Sequence, residues 1–118
     1  LIISDIATMM IISGLSTLNT LADLYDDYNV LYDIVYEILI MNNPEQNYHI
    51  LKEYYKGYNI YMFISNRTTR FMVWHDLKIV EKPYYKFIKT EWVLEHLNSP
   101  RFRQVYHNKG VVILQLRR

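Results

Sequence analysis

Apolar positions fall at helical spacing through the first half of the chain and in short β-favouring runs through the second, with the change of period after Gly57. Ile2, Ile3, Ile6, Met9, Met10 and Ile12 predict a buried helix from Leu1, with Gly14 as its stop. Ser16 or Thr17 predicts the cap of a second helix through Leu18, Leu21, Leu24 and Tyr25, ending near Asp27. Val30, Leu31, Ile34, Val35, Ile38 and Leu39 form one stripe, with Asp33 and Glu37 elsewhere on the cylinder, as a half-buried third helix requires. The fourth has the clearest limits. Asn43 stands as N-cap, Pro44 at the first helical position and Gln46 at the third, and Gly57 follows Lys56 at the end.

Tyr58 to Ile64 is too short and too rich in β-formers to prefer helix, and being apolar on both faces it reads as a central strand. Ser65 to Thr68 predicts a turn, Thr69 to Trp74 the return strand of a hairpin, and Leu77 to Glu81 a third strand ahead of Pro83. Thr90 predicts the cap of a short helix through Trp92, Val93 and Leu97. Ser99 with Pro100 predicts another through Tyr106, and Gly110 frees the chain for a last strand, Val111 to Leu116. The expected class is α+β: about four N-terminal helices, a central antiparallel hairpin, two short C-terminal helices and a final strand. At 118 residues, half of them apolar, the chain is expected to form one compact domain, 1–118, burying roughly two-thirds of its unfolded surface.

Charge divides this domain into an acidic helical front, 1–57, and a basic mixed rear, 58–118. The first fifty-one residues contain seven carboxylates and no lysine or arginine. Split after residue 60, two basic residues face eight acidic ones (net −6), then eleven face four (net +7), so the overall +1 conceals a bipolar chain. Such asymmetry points to an anionic partner for the basic part or to self-association of opposite charges. With no cysteine, disulfides, thiolate chemistry and cysteine-ligated zinc are excluded. The apolar opening has no basic leader region and falls short of the roughly 18 to 20 residues a membrane span needs. We therefore expect an intracellular, cytoplasmic protein without membrane contact. Twelve tyrosines beside two alanines fit AT-rich coding DNA, for which a viral source is one reading, placing the protein in the host cytoplasm or nucleus. A start at leucine suggests that native N-terminal sequence precedes it.

Cations of the rear half are interleaved with aromatics: Arg67 and Arg70, then Tyr84, Tyr85, Lys86 and Lys89, then Arg101 and Arg103. Cations neutralise phosphates and aromatic faces stack on exposed bases, so these eight residues are the candidate nucleic-acid contacts. The order helix, helix, capped helix, hairpin over residues 16–74 resembles a winged-helix domain. That resemblance implies groove contacts from Gln46, Asn47, His49, Lys52 and Lys56, and a wing carrying Arg67 and Arg70. Tyr25, Tyr28, Tyr32 and Tyr36 align as a ridge suited to core packing or to a subunit interface.

Other constellations are thinner. Asp76 and Lys78, with Glu53 upstream, have the residue types of a divalent-metal nuclease. Glu91, Glu95 and His96 share a short helix, and His75 adjoins Asp76, as metal ligands can. Tyr106 and Lys109 match the Y-x-x-K of rolling-circle initiators, without the paired histidines of those enzymes. Phe87 to Leu97, with Trp92, faintly resembles the final helix of BRCT domains. No catalytic residue, metal or cofactor is assigned from these. The expectation is a non-enzymatic, homo-oligomeric nucleic-acid-binding protein. The alternatives are a protein-interaction module built on the acidic helices and tyrosine ridge, and a metal nuclease.

Overall fold

The computed structural model describes residues 1–65, 73–75, 84–86, 88 and 90–118, the segments 73–75 and 84–86 in their backbone alone. It is α+β, built on a four-stranded mixed sheet. Chain order is β1 (Ile2–Ile3), α1 (Ile6–Leu15), a 3₁₀ turn (Leu21–Leu24), α2 (Tyr28–Tyr36), α3 (Pro44–Tyr54), β2 (Tyr61–Ser65), β3 (Val73–His75), β4 (Tyr84–Lys86), α4 (Thr90–Asn98), β5 (Phe102–His107) and β6 (Val111–Leu116). The sheet order is β1-β2-β6-β5, with β3 and β4 forming a separate two-stranded ribbon.

The opening differs from expectation. Ile2 and Ile3 pair in parallel with Tyr61 and Met62, so the isoleucines fill a strand, and the helix waits for Asp5, whose carboxylate accepts from Thr8 N at 3.0 Å. Helix α1 runs past Gly14 to Leu15 and is not a buried helix: Met9 is buried, whereas Met10, Ile11 and Leu15 are exposed. The second helix reduces to the 3₁₀ turn. There the Asp23 carboxylate returns to Thr20 N at 2.7 Å and takes Ser13 Oγ at 3.0 Å, hydrogen bonds that hold its pKa below the ordinary carboxylate range.

Helix α2 follows its predicted stripe, burying Leu31 and Val35, although Val30 lies exposed. It widens into a π-helical turn, Glu37–Met41, in which Asn42 N donates to Glu37 O at 2.9 Å. The Ile38 carbonyl is thereby left for the Asn47 side-chain amide, 2.8 Å away. The predicted reciprocal cap of α3 is present: Gln46 N donates to Asn43 Oδ1 at 2.9 Å and Asn43 N to Gln46 Oε1 at 3.0 Å. Gly57, at φ +87°, turns the chain into β2.

Strand β2 is central, as its apolar run predicts, but its partners are not those expected. One edge takes β1 and the other takes β6 antiparallel, Tyr61↔Gln115 through Ser65↔Val111. With both edges occupied, the return strand pairs elsewhere: Val73–His75 joins Tyr84–Lys86. The expected turn at 66–68 and the strand 77–81 lie outside the described residues. A winged-helix arrangement is therefore overturned, because β2 is the middle of a sheet and Asn47 is fully buried instead of facing a groove.

Two further corrections fall in the rear. Thr90 is the first helical residue of α4, within the usual one-residue latitude of a helix end. The segment after Ser99 is a strand, not a helix. Ser99 O accepts from Phe102 N at 3.3 Å, making Pro100 a turn residue, and Phe102–His107 pairs with β6 across a loop where Asn108 Oδ1 accepts from Gly110 N and Val111 N. One core joins the chain's distant parts, with Ile3, Leu31, Leu51, Met62, Trp92 and Leu114 in a single cluster.

Candidate anion-binding cleft

Helix α3 turns its buried stripe, Tyr48 and Leu51, to the core, and Tyr55 just beyond it continues that stripe, which leaves Lys52 and Lys56 exposed at its C-terminal end. Cations there complement the negative end of the helix dipole. What the dipole does not account for is the arrival of two more from the far end of the chain. Leu116 N donates to Ile60 O at 3.0 Å and Arg117 N to Arg101 O at 2.9 Å, which fixes the exit of β6 against the Gly57–Ile60 turn. Arg117 and Arg118 emerge there, and the Arg118 guanidinium donates to Asn59 Oδ1.

The result is a solvent-open cleft of about 380 Å³. Among the described residues four cations line it, Lys52, Lys56, Arg117 and Arg118, and no carboxylate side chain does. Buried Tyr55, Ile60 and Leu116 supply an apolar base, and Tyr58, 42% exposed, stands at the edge. The Tyr55 hydroxyl is engaged with Tyr25 Oη at 2.7 Å, and burial pushes its pKa well above the ordinary tyrosine value, so the base stays neutral.

The basic surface continues past the cleft through Tyr48. Lys52 Nζ donates to Tyr48 Oη at 2.7 Å, which draws that hydroxyl's pKa below its ordinary value, and the Arg101 guanidinium lies 4.4 Å from the centre of the same ring. Arg101 also donates to Glu45 Oε1 at 3.0 Å, so part of its charge is neutralised. Arg103 is exposed on β5 and donates to Gln115 Oε1. Of the other candidate contacts, Arg67, Arg70 and Lys89 lie outside the described residues. Tyr84, Tyr85 and Lys86 form β4, described in its backbone alone. The cleft quartet is absent from the eight candidates. Its signal was the placement of the front half's only two cations in and just after the last turn of the best-capped helix.

The remaining constellations dissolve or fall elsewhere. His96 is fully buried, stacked on Trp92 at 3.7 Å, while Glu91 and Glu95 are exposed. Among the described residues no group of three or more acidic or histidine side chains is placed to hold a metal. Asp76 and Lys78 lie outside the described residues. Tyr106 is an exposed residue of β5 that accepts from Asn108 Nδ2 at 2.8 Å. Tyr25, Tyr32 and Tyr36 pack against the core and only Tyr28 of that ridge is exposed, so core packing accounts for most of it. A shallower depression between α3 and α4 is lined by Glu45, Glu91 and Glu95, the opposite sign from the cleft. No described helix is long and apolar enough to cross a membrane. Compared with protein-family models, curated proteins and solved structures, the chain matches none.

Proposed function

We propose that this protein is a non-enzymatic nucleic-acid-binding protein that holds phosphates at the cleft formed by Lys52, Lys56, Arg117 and Arg118. The reading rests on one observation, four cations drawn from two distant segments around one cavity with no carboxylate side chain lining it among the described residues. Like charges gathered without neutralisation repel, and a polyanion relieves that repulsion while releasing its own counterions. Arg101 and Arg103 extend the surface, and the proposal carries Arg67, Arg70, Lys86 and Lys89 with it, Tyr84 or Tyr85 serving as stacking partners.

Fluorescence anisotropy of labelled DNA and RNA, titrated with the protein at several salt concentrations, tests it. Four phosphate contacts give a log–log salt slope of about −3 to −4. Absence of salt-sensitive binding even at low salt removes the reading.

A second reading, self-association, is favoured by α1, an uncharged helix with Met10, Ile11 and Leu15 all exposed and Leu15 at 84%. Exposed contiguous apolar side chains mark contact surfaces. Sedimentation velocity checks it: a dimer that Ile11→Glu with Leu15→Glu converts to monomer supports it, and a monomer at all concentrations ends it.

A further inference from the structure

Phosphate contact alone needs cations and no cavity, and a flat basic face would serve a duplex. This cleft has more. Its base is the buried apolar surface of Ile60 and Leu116 beside the Tyr55 ring, and the half-exposed Tyr58 is brought to its edge by the Gly57 turn. Lys56 and Arg117 make no side-chain hydrogen bond or ion pair among the described residues, so both are available to a ligand.

A volume of about 380 Å³ stands at the low end of the roughly 300–1,000 Å³ typical of small-molecule sites. It fits one compact organic unit with an anionic group at its edge. A base inside a duplex is stacked on both faces and cannot enter such a space. An unpaired base can, because its π-face is free to meet an aromatic side chain.

We propose that the cleft takes one unpaired nucleotide of a single strand, its base against Tyr58 and the apolar lining and its phosphate between Lys56 and the two arginines. This rests on the nucleic-acid reading and deepens it from phosphate attraction to recognition of single strands. It also commits the protein to binding a free nucleoside monophosphate more tightly than either half of that molecule.

The experiment is competition against a labelled single strand, with the intact protein and three probes: adenosine 5′-monophosphate, adenosine and inorganic phosphate. Amide NMR shifts of residues 56–60 and 116–118 report where each binds. The expected result is displacement by the nucleotide at concentrations where neither adenosine nor phosphate displaces, with shifts centred on those segments. Base stacking sets the size of the second test: Tyr58→Ala lowers single-strand affinity about 5- to 150-fold and abolishes the preference for single strand over duplex. Tyr58→Phe, which keeps the ring, restores it.

Equal salt-sensitive binding of single strand and duplex, indifferent to Tyr58→Ala, overturns the inference and leaves phosphate attraction standing. Loss of preference in Tyr58→Ala without recovery in Tyr58→Phe also overturns it, because stacking needs the ring and not the hydroxyl. Failure to bind any strand at low salt removes the underlying reading and this inference with it.

Discussion

Lowering the pH from 7 to 5 should destabilise this protein through one residue, His96. Its ring is sealed between Trp92, stacked at 3.7 Å, and Phe102, tilted at 5.1 Å. Nδ1 lies 2.8 Å from the Trp92 carbonyl, which can only accept, so Nδ1 carries the proton. Asn47 Nδ2 faces both the Ile38 carbonyl at 2.8 Å and His96 Nε2 at 3.0 Å. The carbonyl again demands a donor, so Nε2 accepts. A second proton would set one N–H against another and place a charge among neutral side chains. Burial accordingly lowers the His96 pKa to about 4 from 6.5, the Trp92 hydrogen bond opposing it in part. Below 6.5 the unfolded chain binds a proton that the folded chain refuses, so the stabilisation is complete above pH 6.5 and is lost as pH falls towards 4. At about 1.36 kcal/mol per pKa unit the loss is on the order of 2 kcal/mol by pH 5 and approaches about 3 kcal/mol near pH 4. Urea unfolding at pH 7 and pH 5, followed by tryptophan fluorescence, measures it. The comparison is His96→Gln, which is neutral at both values and shares every other titrating group. An equal loss in the two proteins would refute the burial argument, whatever its size.

Other consequences follow from single contacts. Gly57→Ala should lower stability by about 1–2 kcal/mol in a urea titration, from the φ of +87° alone, since an added Cβ meets nothing within 4 Å. Asn43→Ala removes the donor-satisfying half of the α3 cap and should cost about 1 kcal/mol by the same assay, with Asn43→Asp near neutral. Leu51→Ala, at a fully buried core position, should cost roughly 2–5 kcal/mol in thermal or urea unfolding. Glu45→Gln frees Arg101 from its ion pair, so it should strengthen nucleic-acid binding and steepen the salt slope by about 1, with stability changed by less than about 1 kcal/mol.

Sequence pattern is a good guide to this fold where an element carries its own boundaries. Helix α3 has its cap, its first-position proline and its glycine exit within one stretch; it starts where those residues place it and ends at Tyr54, with the chain turning out through Gly57 three residues later. The last strand is likewise legible, because Gly110 precedes an unbroken β-favouring run. Pattern fails where a decision belongs to a distant partner. Ile2 and Ile3 suit a helix or a strand equally well, and the backbone of Tyr61 and Met62 decides between them. Ser99–Pro100 opens a helix or a turn with the same residues; the pairing of Phe102–His107 with β6, which buries Phe102, selects the turn. Both failures concern sheet contacts more than fifty residues or one hairpin away, to which a local period is blind.

The candidate site was hidden for a related reason, since charge counted along the chain is not charge distributed in space. Three front carboxylates serve local backbone: Asp5 caps α1, Asp27 caps α2, and Asp23 returns to Thr20. A fourth, Glu45, reaches across to the rear and offsets Arg101. Meanwhile Lys52 and Lys56, the front's only cations, join Arg117 and Arg118, so the cleft draws equally on both halves. Mutations grouped by position in sequence would therefore mislead. Reversing Arg101 and Arg103 together should shift the salt slope by about 1 and cost the smaller share of the affinity, because Arg101 is already partnered by Glu45 and only Arg103 brings an unneutralised charge. Reversing Lys56 and Arg117, an equal change in net charge, should reduce the slope by about 2 and weaken binding far more. Anisotropy titrations of the two double variants at matched salt decide it, and a larger loss from the Arg101 and Arg103 pair would move the binding surface to the β5 edge of the sheet.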